Sequence, residues 1–185
     1  MFKYEKMLPY PINITKKDLK MAKYLITQFG GPNGELNAAM RYFSQKFTMP
    51  DSKGRALLND IATEELSHCE MICTIVHQLT KNATLEELEK AGLTSQYVEH
   101  NKGIFPSDSF GNKYEATFHT SGDPLVDLSE DMAAEEKARA TYENLIDIAT
   151  DKELISILLF LRQREVIHYN LFKTLREYYI SKGLK

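Results

Sequence analysis

The sequence predicts an all-α fold: a four-helix bundle of two antiparallel hairpins joined by one long crossover. Three observations point to it. Apolar residues recur at helical spacing through long segments. Within each half, the link between such segments is too short for anything but a tight helix-to-helix turn. The same residue constellation also occurs twice, one hundred residues apart: Glu35 then Glu65-Leu66-Ser67-His68, and Glu135 then Glu165-Val166-Ile167-His168. Thirty residues separate the lone Glu from the Glu-x-x-His in both halves, so the two hairpins are related by approximate internal two-fold symmetry.

The elements follow in order. Residues 1–17 hold Pro9, Pro11 and several aromatics without helical period, and read as an extended, ordered arm. The first helical segment covers about 18–47, with Leu19, Ala22, Leu25, Ile26 and Phe29 on one face. Gly30-Gly31-Pro32-Asn33-Gly34 interrupts it, because Pro32 does not fit a regular helix interior. Either the helix kinks there, or a short helix ends and another restarts just before Glu35; the sequence leaves both open.

A link at Met49-Pro50-Asp51-Ser52 leads into a helix over about 53–79, with Leu57, Leu58, Ile61, Ile72 and Ile75 available for packing. The crossover spans 80–122 and contains one short helix, 85–91, ended by Gly92. Its remainder, with Gly103, Pro106 and Gly111, reads as irregular, and His100 and His119 as solvated. Asp123 as N-cap and Pro124 at the first helical position open a helix over 123–149. Thr150-Asp151 turns the chain into a last helix over 152–181, which stops at Gly183.

At 185 residues the chain fits one domain with a substantial core. Its 43% apolar and 26% charged residues are ordinary for a globular protein. A net charge of −3 argues against nucleic acid or an anionic membrane held by bulk charge. No run reaches the roughly 18 apolar residues of a membrane helix. The start, Met1-Phe2-Lys3-Tyr4-Glu5-Lys6, lacks the apolar run of a secretory signal, so synthesis in the cytoplasm is the expectation. Cys69 and Cys73, one helical turn apart, do not make a disulfide framework and read as reduced, packed thiols. His77 extends their stripe, a weak hint of an accessory metal or redox role.

The repeated constellation carries the chemistry. Positions i and i+3 share a helix face, so Glu65 with His68, and Glu165 with His168, each aim a carboxylate and an imidazole the same way. One Glu from each of two helices and a Glu-x-x-His from each of the other two is how four-helix bundles build carboxylate-bridged two-metal sites. Small neighbours of Glu35 and Glu135 (Gly34, Ala38, Ala39; Ala134, Ala138) leave room for a site. Gathered carboxylates repel each other, and two divalent cations offset that charge. Mixed oxygen and imidazole donors suit manganese or iron.

With Gly30-Gly31 through Glu35, Thr63-Glu64-Glu65-Leu66-Ser67-His68-Cys69-Glu70-Met71, Ala133-Ala134-Glu135-Glu136-Lys137-Ala138-Arg139-Ala140-Thr141-Tyr142 and Arg164-Glu165-Val166-Ile167-His168, the chain resembles the manganese catalases, and among them the short spore-coat branch, the CotJC proteins. The likeness covers nearly the whole chain. It implies a ferritin-like bundle holding two manganese ions: Glu35 and His68 on one, Glu135 and His168 on the other, Glu65 bridging. It implies Glu165 beside the bridging solvent as proton acceptor and donor, and Tyr42 as a supporting tyrosine. The implied reaction is disproportionation of hydrogen peroxide to water and oxygen. The implied setting is a homo-oligomer among other proteins of the spore coat, with no nucleic acid or membrane partner.

Three features depart from the family, one of them Pro32 in the Gly-rich stretch just before Glu35. Where some members carry a basic residue beside the third-helix Glu or two turns beyond it, this chain has Ala134 and Tyr142. It also lacks the long C-terminal extension of larger members. Two other readings stay open: a di-iron oxidase or peroxidase in which Glu165 is itself a ligand, and a mainly structural coat protein with a metal-stabilised core.

Overall fold

The computed structural model describes residues 7–93 and 119–185. All regular structure in them is helical: α1 Leu19–Gly30, α2 Glu35–Gln45, α3 Ser52–Leu79, α4 Leu85–Ala91, α5 Pro124–Ile148 and α6 Lys152–Ser181, with a single 3-10 turn at Lys46–Thr48. None of these helices is long and apolar enough to cross a membrane.

Short polar side chains set the helix starts. Asp18 accepts from the Met21 amide, Asp51 from Gly54, Asp123 from Leu125 and Val126, and Asp151 from Glu153 and Leu154. Thr84 and Glu87 form a reciprocal capping box on α4, which Gly92 ends at φ 70°.

The first segment is two helices, not one kinked helix. The Gly31 amide closes α1 by donating to the Thr27 carbonyl, and Gly34 caps α2. The turn between them is packed on its own backbone. A Cβ on Gly34 would lie 2.8 Å from the Gly31 nitrogen and 2.9 Å from the Thr27 and Gln28 carbonyl oxygens. Asn37 Nδ2 donates back to the Gly31 carbonyl at 3.0 Å. Glu35, the first residue of α2, is therefore fixed by a turn that only glycine fits.

The helices pack as two hairpins, α2 with α3 and α5 with α6, while α1 lies along the later part of α3. Two apolar clusters form. One unites α1 with Ile72, Ile75, Leu154, Leu158 and Leu161; the other unites Tyr42, Leu58, Ile61, Leu128, Phe172 and Leu175. On α3 and α6 the stretches between them carry buried Glu65, His68, Glu165 and His168. The extended arm is ordered over its described residues. Ile12 and Ile14 are buried, Gln78 bonds the backbone of both, and Tyr10 stacks on Phe160. Residues 1–6 of the arm, and Gly103, Pro106, Gly111 and His100 of the crossover, lie outside the described residues.

Cys69 is buried and Cys73 half-buried, both unpaired. Burial pushes the Cys69 thiol well up and the Cys73 thiol to about 11, so both stay protonated at neutral pH. His77 and His119 are exposed.

At the far end of the bundle, Tyr179 is 2% exposed and donates to Asp51 Oδ1 at 2.9 Å. A Cβ on Gly54 would meet its hydroxyl at 2.0 Å and Met49 Cβ at 3.1 Å. Alanine normally stabilises a helix interior over glycine by about 1 kcal/mol. Here Gly54→Ala destabilises instead, by roughly 1–3 kcal/mol, because the added Cβ displaces the buried Tyr179 hydroxyl from its bond to Asp51. Urea unfolding of the variant checks this; equal or greater stability would refute the close packing.

Candidate metal centre

Four helices contribute to one buried polar cluster. α2 supplies Glu35, α3 supplies Glu65 and His68, α5 supplies Glu135, and α6 supplies Glu165 and His168; none is more than 3% exposed. Glu65 sits at the middle. Its Oε2 lies 2.8 Å from His68 Nδ1, and its Oε1 lies 2.8 Å from His168 Nδ1. The lone glutamates flank this pair, with Glu35 Oε2 3.5 Å from His68 Nδ1 and Glu135 Oε2 3.6 Å from His168 Nδ1. One donor atom each from Glu35, Glu65, His68 and Glu165 falls within 4.8 Å of the others, and so do Glu65, Glu135 and His168. Glu65 belongs to both groups, and the two imidazole rings stack with centroids 5.9 Å apart.

The outer atoms of this cluster are held from behind. The Tyr42 hydroxyl donates to Glu135 Oε1, and the Tyr142 hydroxyl donates to Glu35 Oε1. Each tyrosine thus reaches across to the glutamate of the opposite half. Glu64 lies behind both histidines, 3.7 Å from His68 Nε2 and 3.3 Å from His168 Nε2. These are ion-pair separations, not aligned hydrogen bonds, since neither Nε2 has a hydrogen-bond partner. Glu64 is itself fixed by Arg164, whose Nη2 donates at 3.0 Å and whose Nε lies 2.5 Å away.

Burial and charge pull these groups apart. Burial, with the Glu65 charge, pushes the Glu35 carboxyl up to about 8. Burial, with the Glu35 and Glu135 charges, also raises Glu165 well above the carboxylate range. Burial opposes charge on Glu65 too, but the His168 and His68 imidazoles outweigh it and hold that carboxyl far below its usual range. Burial would lower both histidines, yet the surrounding carboxylates raise them well above the ordinary value.

The cluster is short of internal partners. Glu65 Oε1, Glu135 Oε2, Glu165 Oε1 and His168 Nδ1 are all buried without a hydrogen bond of acceptable geometry. Buried polar atoms left unpaired are costly. Here they converge from three helices, α3, α5 and α6, and a mixed set of carboxylate oxygens and imidazole nitrogens is what a manganese or iron ion takes. The residues present therefore fit such ions. A water-sized cavity adjoins the cluster, running from exposed Pro32 and Asn33 to Glu35, Glu135 and Glu165, with Ala38, Ala134 and Ala138 in its wall.

The sequence repeat brings all six of its Glu and His residues together, with Tyr42 behind Glu135. It did not single out Glu64 with Arg164, or Tyr142 as the partner of Glu35. A signal was available for each. Glu64 and Arg164 occupy the same place before the motif glutamate in the two halves and carry opposite charge, and Tyr142 matches Tyr42 within the repeat.

Residues 1–178 match the family described as manganese containing catalase. The chain is 50% identical over 174 residues to Protein CotJC of Bacillus subtilis (strain 168), covering 94% of this chain and 92% of that one. It is 34% identical over 176 residues to a probable manganese catalase of Clostridium acetobutylicum, covering 94% and 78%. Its structure superposes on the crystal structure of KatB, a manganese catalase from Anabaena, with a TM-score of 0.84 at 34% identity, covering 100% and 82%. The bundle is thus ferritin-like, and the chain belongs to the manganese-containing catalase family.

Proposed function

We propose that this protein disproportionates hydrogen peroxide to water and oxygen at a pair of manganese ions, as a component of the spore coat. The observation that carries the reading is the convergence of two Glu/His sets on a shared Glu65, with inward atoms that make no hydrogen bond of acceptable geometry among the described residues. Glu35 and His68 would hold one ion, Glu135 and His168 the other, and Glu65 both. Bound there, the metal pair supplies the two-electron redox capacity that each half of the disproportionation needs.

The remaining work falls to the protein's own groups. Glu165, raised by burial, borders the cavity and takes and returns the substrate proton at its Oε1. Tyr42 and Tyr142 hold the outer oxygens of Glu135 and Glu35, leaving the other oxygens to face the centre. Glu64, clamped by Arg164, sets the far side of both imidazoles. The cavity is small and reaches the exposed Pro32 and Asn33, which suits a small substrate over a bulky reductant. The resemblance to the CotJC branch carries the spore-coat placement.

The test is oxygen evolution from peroxide by protein produced in manganese-supplemented medium. Rapid release, lost in Glu65→Ala, is the expected result. No release from protein holding two manganese ions per chain would refute the catalase reading. A second reading, a di-iron oxidase or peroxidase, draws on one observation: Glu165 lies at ligand distance with Glu35, Glu65 and His68. Iron content with slow peroxide turnover would favour it.

A further inference from the structure

The seam between α2 and α5 carries polar residues that the reaction above leaves unused. Asp127, Asp131 and Glu135 lie at four-residue intervals on α5, all buried. Across from them α2 presents Ala38, Arg41 and Gln45 on the face that also holds Glu35 and Tyr42. Arg41 is only 7% exposed, yet no hydrogen bond or ion pair engages it among the described residues, and its Nε is buried without a partner. Its charge acts on Asp131 through space, beyond ion-pair distance. Arg41 also lines the water-sized cavity beside Glu35, Glu135 and Glu165.

A guanidinium Nε buried without an acceptor is unfavourable unless something accepts its hydrogen bond. The nearby carboxylates supply a compensating field, but none of them bonds it. A molecule in the cavity that Arg41 lines would be such an acceptor. Peroxide offers two oxygen acceptors there, and the carboxylates around it repel the anion formed when it loses a proton. A cation in the wall offsets that repulsion. We infer that Arg41 binds and orients the small oxygen substrate in this cavity, donating guanidinium N–H groups to it. The inference rests on the catalase reading for the identity of the substrate, but the site itself is a binding site for small anions and peroxides.

Azide, a small anion, serves as the probe. Manganese-loaded wild type, Arg41→Gln and Arg41→Lys are titrated with azide by calorimetry, and their manganese content and kcat/KM are measured alongside. In Arg41→Gln the azide Kd rises about tenfold, the loss of one charge-assisted hydrogen bond. kcat/KM falls by a similar factor, and manganese content is unchanged. Arg41→Lys keeps the charge but loses the planar fork, so its azide Kd rises about threefold. Unchanged azide affinity in either metal-replete variant overturns the assignment, as does a wild type that binds no azide. A wild type that binds azide but evolves no oxygen refutes the catalase reading alone, and the comparison of azide affinities still decides the role of Arg41.

Discussion

Chelating the metal lowers the melting temperature by about 10 °C at neutral pH, and the gap between metal-free and metal-loaded protein widens as pH rises from about 4.5 to about 8. The size follows from linkage. A ligand present at a thousand times its Kd stabilises by about 4 kcal/mol, and each kcal/mol moves the midpoint of a protein this size by roughly 2–4 °C. The pH dependence follows from the metal-free cluster. Glu35 titrates near 4.5 when unfolded and near 8 when folded, raised first by burial and then by Glu65. Between those values the folded chain holds a proton that the unfolded chain has released, so stability falls as pH rises. Glu165, raised by burial and by the Glu35 and Glu135 charges, acts in the same direction.

His68 and His168 add to the trend. Their folded values lie above 6.5, so the stability they contribute is complete below that pH and is lost as pH climbs toward the folded values. Glu64 and Glu65 are depressed, and what they contribute is lost only on acidification below about 4.5, outside this window. Metal binding runs the other way, because its ligands must be deprotonated and bind better as pH rises. Differential scanning calorimetry from pH 5 to 8, with and without chelator, measures the gap. Equal melting temperatures at every pH would exclude a metal-stabilised core.

Much of this arrangement was legible in the chain because its determinants are local. Asp123-Pro124 marks a helix start through a side chain that bonds amides two and three residues on. The Glu-x-x-His motifs are local too, since one helix turn brings their two members to one face. What the sequence left open at Pro32 depended on tertiary fit. The break needs Gly34 to press against the Gly31, Thr27 and Gln28 backbone, a contact that composition does not announce. The crossed tyrosine bonds are harder still. Tyr42 and Tyr142 repeat faithfully in sequence, but nothing local says that each serves the glutamate of the other half, 93 and 107 residues away. Glu64 and Arg164 each read as an ordinary helix charge until α3 and α6 are packed together.

Glu165→Gln lowers kcat about a hundredfold or more while leaving manganese content unchanged. Removing a positioned proton carrier costs this much in other general acid–base reactions. Glu165 has the features of such a carrier. It is 2% exposed, its Oε1 has no partner, and it borders the cavity. Burial and the neighbouring Glu35 and Glu135 charges raise it well above the usual carboxylate range. Glutamine preserves its volume and can donate, but it cannot take a proton and give it back. If the carboxylate acts only on protons in flight, kcat and kcat/KM fall together and the metals stay. If it holds a metal directly, as its place within 4.8 Å of Glu35, Glu65 and His68 allows, the variant loses manganese as well. Metal analysis of Glu165→Gln beside Glu65→Gln separates these cases. Glu65→Gln removes the carboxylate between both histidines and is expected to lose metal outright, whereas retention of metal and full turnover in Glu165→Gln would remove Glu165 from the chemistry.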